Sequence, residues 1–160
     1  MKKFNQRTAL ILFPILLIAI LLEISLRNIP NNYAYKKQLL DSIGPNIEVL
    51  ALGSSHTVAG VNPKFFNFNT FNAAHSGQTI DLDEKIFTKY ESTFDKLKLI
   101  TLPIDYSSLF ININNSPNSW FRLKSYIIYY EIHKSTDIRN FSEILTYGFK
   151  TNIIRLINYY

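Results

Sequence analysis

Thr8–Leu22, "TALILFPILLIAILL", carries no charged side chain, and beyond Glu23 the apolar character resumes at Ile24 and Leu26. Taken to Leu26, the stretch matches the roughly 17–25 residues that a helix needs to cross a hydrocarbon core. Pro14 lies inside it, which membrane helices accept. The pattern then turns polar. Asn28–Asn46, with Pro30, Gly44 and Pro45, reads as a tether holding a short helix around Tyr35–Ser42. "IEVLALG" (Ile47–Gly53) is a short apolar run closed by glycine, the pattern of a strand buried on both faces. Phe68–Ala74 is a second, weaker strand, and "KLKLITLPI" (Lys96–Ile104) is a third. Between them Thr79 caps a helix predicted to run to about Leu97, with Ile86, Phe87, Tyr90, Phe94 and Leu97 on one face. From Trp120 the style changes again, to two aromatic-rich helical segments, Trp120–Lys134 and Phe141–Tyr160, joined by a polar turn.

Strands alternating with a helix predict an α/β fold with a parallel sheet of about three strands. The predicted order along the chain is a cytoplasmic stretch 1–7, a transmembrane helix 8–26, a tether 27–46, and a partial α/β domain 47–160 that ends in the aromatic helices. Ligands of such sheets sit beyond the carboxyl ends of the strands. Three segments are expected to meet there: Gly53-Ser54-Ser55-His56, His75-Ser76-Gly77-Gln78 and Asp105-Tyr106-Ser107-Ser108. With only three strands, the last is expected to leave a hydrophobic edge open.

Charge adds topology. Lys2, Lys3 and Arg7 precede the apolar helix, so the positive-inside tendency puts the N-terminus in the cytoplasm and the remainder on the periplasmic or extracytoplasmic side. "EISLRNIP" offers no small-x-small cleavage site, which predicts an uncleaved single-pass anchor in the plasma or inner membrane, with the bilayer as partner. The net charge of +5 is scattered rather than striped, so no nucleic-acid partner is expected. With no cysteine, disulfides and thiolate metal sites are out of reach, and no metal or cofactor is expected.

"VLALGSSHTVAGVNP" (Val49–Pro63) places two serines and a histidine where the first strand stops. Ser55 on a tight strand-to-helix turn can accept an acyl group, because backbone N–H groups there face a developing oxyanion. The same turn can hold an anion, or its serine can simply cap the following helix. A nucleophile also needs a base. His56 is adjacent to Ser55, so its ring points away; His75 lies on the second loop without an evident carboxylate partner; His133 reads as an ordinary helix residue. Tyr126, Tyr129 and Tyr130 read as packing rather than a carbohydrate platform.

"LGSSHTVAGVNP", "FNAAHSGQT" and "LITLPIDYSSLF", in this order and spacing, resemble blocks I, II and III of the SGNH/GDSL hydrolase-like proteins. The nearest likeness is to the membrane-anchored branch associated with O-acylation of polysaccharide and cell wall. The resemblance spans roughly Ile47 to Phe110 plus the anchor. It implies Ser55 as nucleophile, the Ser55 and Gly77 N–H groups as oxyanion donors, and Gly53, Ser54, His56, Asn72 and His75 in support, with Asn72 bracing its loop. Asp105 would stand near the third-block asparagine, although a carboxylate repels an oxyanion. The family's late Asp-x-x-His block has no counterpart in the chain. The implied function is that of a membrane-anchored relative of ester hydrolases and O-acyltransferases of envelope polysaccharide, truncated or inactive as it stands, with an acylated glycan or acyl donor as partner. The alternative is a non-catalytic envelope accessory protein that partners a membrane acyltransferase.

Overall fold

The computed structural model describes residues 2–104, 108–111, 113, 120–132 and 135–160. Helix α1 (Lys2–Arg27) carries the apolar run, and its Gln6–Arg27 portion is long and apolar enough to cross a membrane, with a mean hydropathy of 2.8. The side chains of that portion are almost wholly exposed, as expected of a helix that is hydrophobic all round and has no protein around it. Leu26 is buried and Glu23 partly so. The Glu23 carboxylate accepts hydrogen bonds from Arg27 (2.7 Å), from the Ser142 hydroxyl (2.8 Å), and from the backbone N–H of Glu143 (3.0 Å) and Ile144 (3.2 Å). The lone acid in the apolar run therefore fastens the C-terminal part of the chain to α1.

The segment read as a tether is ordered and packed. Asn31 accepts from the Ala34 N–H (2.9 Å) and opens α2 (Asn32–Ile43), which buries Leu40 and lays Tyr33 and Leu39 against the core. An Asn N-cap satisfies a donor that the first helical turn leaves unpaired.

Strands β1 (Val49–Ala51), β2 (Thr70–Asn72) and β3 (Leu99–Thr101) form one parallel sheet in the order β2-β1-β3, with Leu50 opposite both Phe71 and Ile100. β1 is buried along its whole length, which explains why its sequence is uninterrupted and apolar. The crossovers carry α3 (Ser55–Gly60) and α4 (Ile80–Tyr90). α4 buries Leu82, Ile86 and Tyr90, yet it stops well short of Leu97. A 3-10 turn, Glu91–Thr93, follows, and the Thr93 hydroxyl donates to the Tyr90 carbonyl (2.7 Å). Such local side-chain bonds compete with helical continuation. Among the described residues β3 pairs with β1 alone, and Leu99 (51 % exposed) and Ile100 are exposed there.

After β3, α5 (Trp120–Ser125) runs into a π-helical turn, Tyr126–Tyr130, which Glu131 ends in the left-handed region (φ 56°). Widening the helix here turns both Tyr126 and Tyr130 inward, and both are fully buried. The continuous helix expected over Phe141–Tyr160 is instead α6 (Glu143–Thr146) and α7 (Phe149–Tyr159), parted by extended backbone at Tyr147 and Gly148. Buried Glu143 ties these pieces together: it meets Lys124 (2.7 Å), Arg155 (2.8 Å) and the Tyr129 hydroxyl (2.8 Å). A buried charge is tolerable only when paired in this way. His133 lies outside the described residues.

Candidate functional site

The order β2-β1-β3 reverses direction at β1, so the crevice beyond its carboxyl end is the natural ligand position of the sheet. Gly53 makes the turn out of β1 at φ +120°, and a Cβ there would come within 2.6 Å of the Thr57 hydroxyl and 3.0 Å of Pro103. Only glycine fits such a conformation and such a space. The Gly53 N–H donates to Asp83 (2.8 Å). Ser54 occupies the cap position of α3 without making a side-chain capping bond, and Ser55 and His56 follow as exposed residues of the first turn. Among the described residues no side chain hydrogen-bonds to the Ser55 hydroxyl.

Loops from all three strands meet in a small recess of about 30 Å³, walled by Gly53, Ser54 and His56 after β1, Gln78 and Asp83 after β2, and Pro103 and Ser108 after β3. That is room for about one water. Ser55 is not one of its walls, so the structure gathers Ser54 and His56 there and leaves Ser55 outside. Asp105, Tyr106 and Ser107 lie outside the described residues.

The second loop is built differently from the first. Asn72, at the end of β2, donates to the carbonyls of Thr57 (2.9 Å) and Val61 (2.8 Å) and accepts from the Ala74 N–H (3.1 Å), so one amide holds α3, its exit and its own loop together. His75 is buried, stacked on Tyr33 with centroids 4.1 Å apart, and its Nε2 shares a hydrogen bond with the Tyr130 hydroxyl (3.0 Å). Burial, helped by the nearby Lys36 charge, pushes its pKa down to about 3, so the ring is neutral at physiological pH. Lys36 itself donates to the Ala74 carbonyl (2.6 Å), and burial lowers its pKa to about 8. Gly77 has φ +69°, and the Arg122 guanidinium from α5 lies where a Cβ would project, 2.7 Å from it. The bare glycine is thus covered by an arginine.

Asp83, which the sequence reading did not single out, holds the site in shape together with Gln78. Asp83 Oδ1 accepts from both the Gly53 N–H and the Gln78 amide (2.5 Å), while Gln78 accepts from the Tyr126 hydroxyl (2.9 Å). This chain of bonds joins the turn after β1 to the π-helical turn on the far side of the second loop. Burial raises the Asp83 pKa to about 6, although both hydrogen bonds oppose the shift. The signal for Asp83 was in the sequence: it falls on the same α4 face as Thr79, Leu82, Ile86 and Tyr90, a carboxylate at a core position.

Among the described residues, no group of three His, Asp or Glu side chains is placed to hold a metal ion. What the arrangement offers Ser55 is the first turn of a helix, held by Asn72 and Asp83, and among the described residues no imidazole bonds to it. Comparison with protein-family models, curated proteins and solved structures finds no match to this chain.

Proposed function

We propose that this chain is a membrane-anchored protein of SGNH-like ancestry, related to the ester hydrolases and O-acyltransferases of envelope polysaccharide, with Ser55 as its acyl-accepting position. One observation carries the reading: Ser55 opens the helix that leaves the central strand of a parallel sheet, at the switch point of the strand order. The apolar helix α1 supports a single-pass anchor, and Lys2, Lys3 and Arg7 before it favour an extracytoplasmic position for the remainder. In this reading Ser55 Oγ attacks an ester carbonyl, and the Ser55 and Gly77 N–H groups receive the oxyanion. The alcohol then leaves with the serine proton, and the acyl-serine passes to water or to a sugar hydroxyl. The acceptor alone separates hydrolase from transferase.

The full chain in detergent, treated with p-nitrophenyl acetate and with a fluorophosphonate, tests this. The expected result is a covalent mass addition on the Ser55 peptide that Ser55→Ala abolishes.

The state of the histidines favours a second reading. His75 is neutral and committed to Tyr130, and among the described residues no imidazole bonds to Ser55. Without a base the same crevice binds an acyl or glycan group and does not turn it over, which is the behaviour of an envelope accessory protein beside a membrane acyltransferase. An unlabelled Ser55 with retained binding of an O-acetylated glycan would select it.

A further inference from the structure

Helix α7 carries two different faces to the outside. Two of its polar side chains turn toward the protein: Asn152 is buried and donates to the carbonyls of Ile144 (3.1 Å) and Tyr147 (3.1 Å), and Arg155 reaches Glu143 (2.8 Å) and lies over the Tyr147 ring. Lys150, Thr151 and Asn158 are exposed, and so is a row of large apolar side chains. Phe149 (78 % exposed), Ile153 and Ile157 (73 % exposed) follow one another at intervals of four, one stripe of the helix surface. A surface helix of a water-surrounded protein keeps such a stripe against its core.

The position of α7 gives this exposed stripe a reason. Between α7 and the C-terminal part of α1 runs an apolar groove of about 560 Å³, to which α1 contributes Ile18, Leu22 and Leu26 and α7 contributes Phe149, Ile153 and Ile157. Asn152 is the one polar residue of its lining. Ile18 to Leu26 covers ~12 Å along α1, close to the depth of one leaflet of a ~30 Å hydrocarbon core. Glu23 sets the register, because its bonds to Ser142, Glu143 and Ile144 clamp the start of α6 within that same stretch. Tyr159 and Tyr160 close the chain with the ring type that collects at membrane interfaces.

We infer that α7 and the C-terminal third of α1 form one lipid-facing surface, and that the groove between them takes an acyl chain of a bilayer phospholipid. The partner follows from continuity: Ile18 and Leu22 belong to the apolar span of α1, so a groove they line opens at the depth where only hydrocarbon is available to fill it. The inference rests on α1 crossing the membrane. It makes the C-terminal part of the chain a second membrane contact, of the kind in which an amphipathic helix lies in the interface.

The chain has no cysteine, so single cysteines can be placed freely and labelled with an environment-sensitive fluorophore. The full chain is reconstituted in phosphatidylcholine vesicles, with or without bromine on the acyl chains, and labelled in turn at Ile11→Cys, Ile153→Cys, Ile157→Cys, Thr151→Cys or Asn158→Cys. All five positions are exposed, so folding is not at stake. Brominated chains should quench Ile153→Cys and Ile157→Cys as strongly as Ile11→Cys in α1, and aqueous iodide should quench Thr151→Cys and Asn158→Cys several-fold more than either. Iodide quenching at 153 and 157 with lipid quenching kept at 11 overturns the inference and leaves the anchor standing. Iodide quenching at 11 overturns the anchor and the inference with it. Positions 153 and 157 shielded from both quenchers would mean that protein covers the groove, which also overturns it.

Discussion

At the scale of single residues, the turn after β1 depends on a carboxyl group that is uncomfortable where it is. An ordinary aspartate titrates near 3.8, whereas Asp83, buried against Gly53 and Gln78, titrates near 6. The folded chain therefore holds this proton more tightly than the unfolded chain between those two values. The resulting stabilisation is complete below about pH 4 and is lost as the pH rises through 6, a change of about 3 kcal/mol. Asp83→Asn keeps the oxygen that accepts from the Gly53 N–H and the Gln78 amide and removes the titration. Thermal melts of the full chain in detergent should thus show the parent losing stability relative to the variant from pH 4 to pH 7. A parent that keeps its margin or gains on the variant over that interval would contradict the assignment. His75 runs the opposite way: held neutral between Tyr33 and Tyr130 with its pKa pushed down to about 3, it leaves the unfolded chain the better proton binder below about 6.5, so this imidazole costs stability as the pH falls through that value.

At the scale of elements, the two edges of the sheet differ among the described residues. β2 is flanked by the ordered turn Pro63–Phe65, whereas β3 presents Leu99 and Ile100 to its surroundings. Apolar open edges invite strand addition by another chain, and native proteins often blunt them with lysine. Lys96 and Lys98 already flank this edge, and Leu99→Lys would extend the same device. Light scattering of detergent-solubilised protein should show less self-association for Leu99→Lys at an unchanged melting temperature. Equal scattering would place the association elsewhere. The C-terminal helices follow another rule, since their breaks come from local chemistry: Ser142 caps α6 by accepting from the Leu145 N–H, and the extended backbone at Gly148 starts α7 on a new axis.

At the scale of the whole molecule, Glu23 is the hinge pin between the apolar helix and the rest. Four hydrogen-bond donors converge on it, three of them from the start of α6 more than a hundred residues away in sequence. Removing it leaves the backbone N–H groups of that helix start without acceptors, at a cost of about 1–3 kcal/mol for each one that water fails to reach. Leu22→Cys and Ile153→Cys, which line the same groove, should be joined by a short bismaleimide in otherwise unaltered protein. Adding Glu23→Ala should reduce that cross-linking strongly while the melt of the sheet body changes little. Undiminished cross-linking would show that apolar contact alone docks α7 on α1.

The local patterns determined much of this in advance. A charge-free run of helical length, an apolar strand closed by glycine, and strands alternating with a helix depend on neighbours in sequence, and they led to α1, to β1 and to a three-stranded parallel sheet. Gly53, Ser54, Ser55 and His56 were placed on the turn after β1 by the same reasoning, Asn72 in the second strand and Gly77 on the loop after it. What required the tertiary structure were the meetings of side chains distant in sequence. The tether becomes packed helix because Tyr33 and Leu40 find a core that its own sequence does not contain. His75 is drawn to Tyr130 and away from any serine, and Ser54, rather than Ser55, walls the recess. Glu23 finds its partners only where α6 arrives to receive it, and the aromatic-rich C-terminal segment breaks into two helices whose Asn152 turns back to the carbonyls between them. Periodicity reports which residues share a face; only packing decides what that face meets.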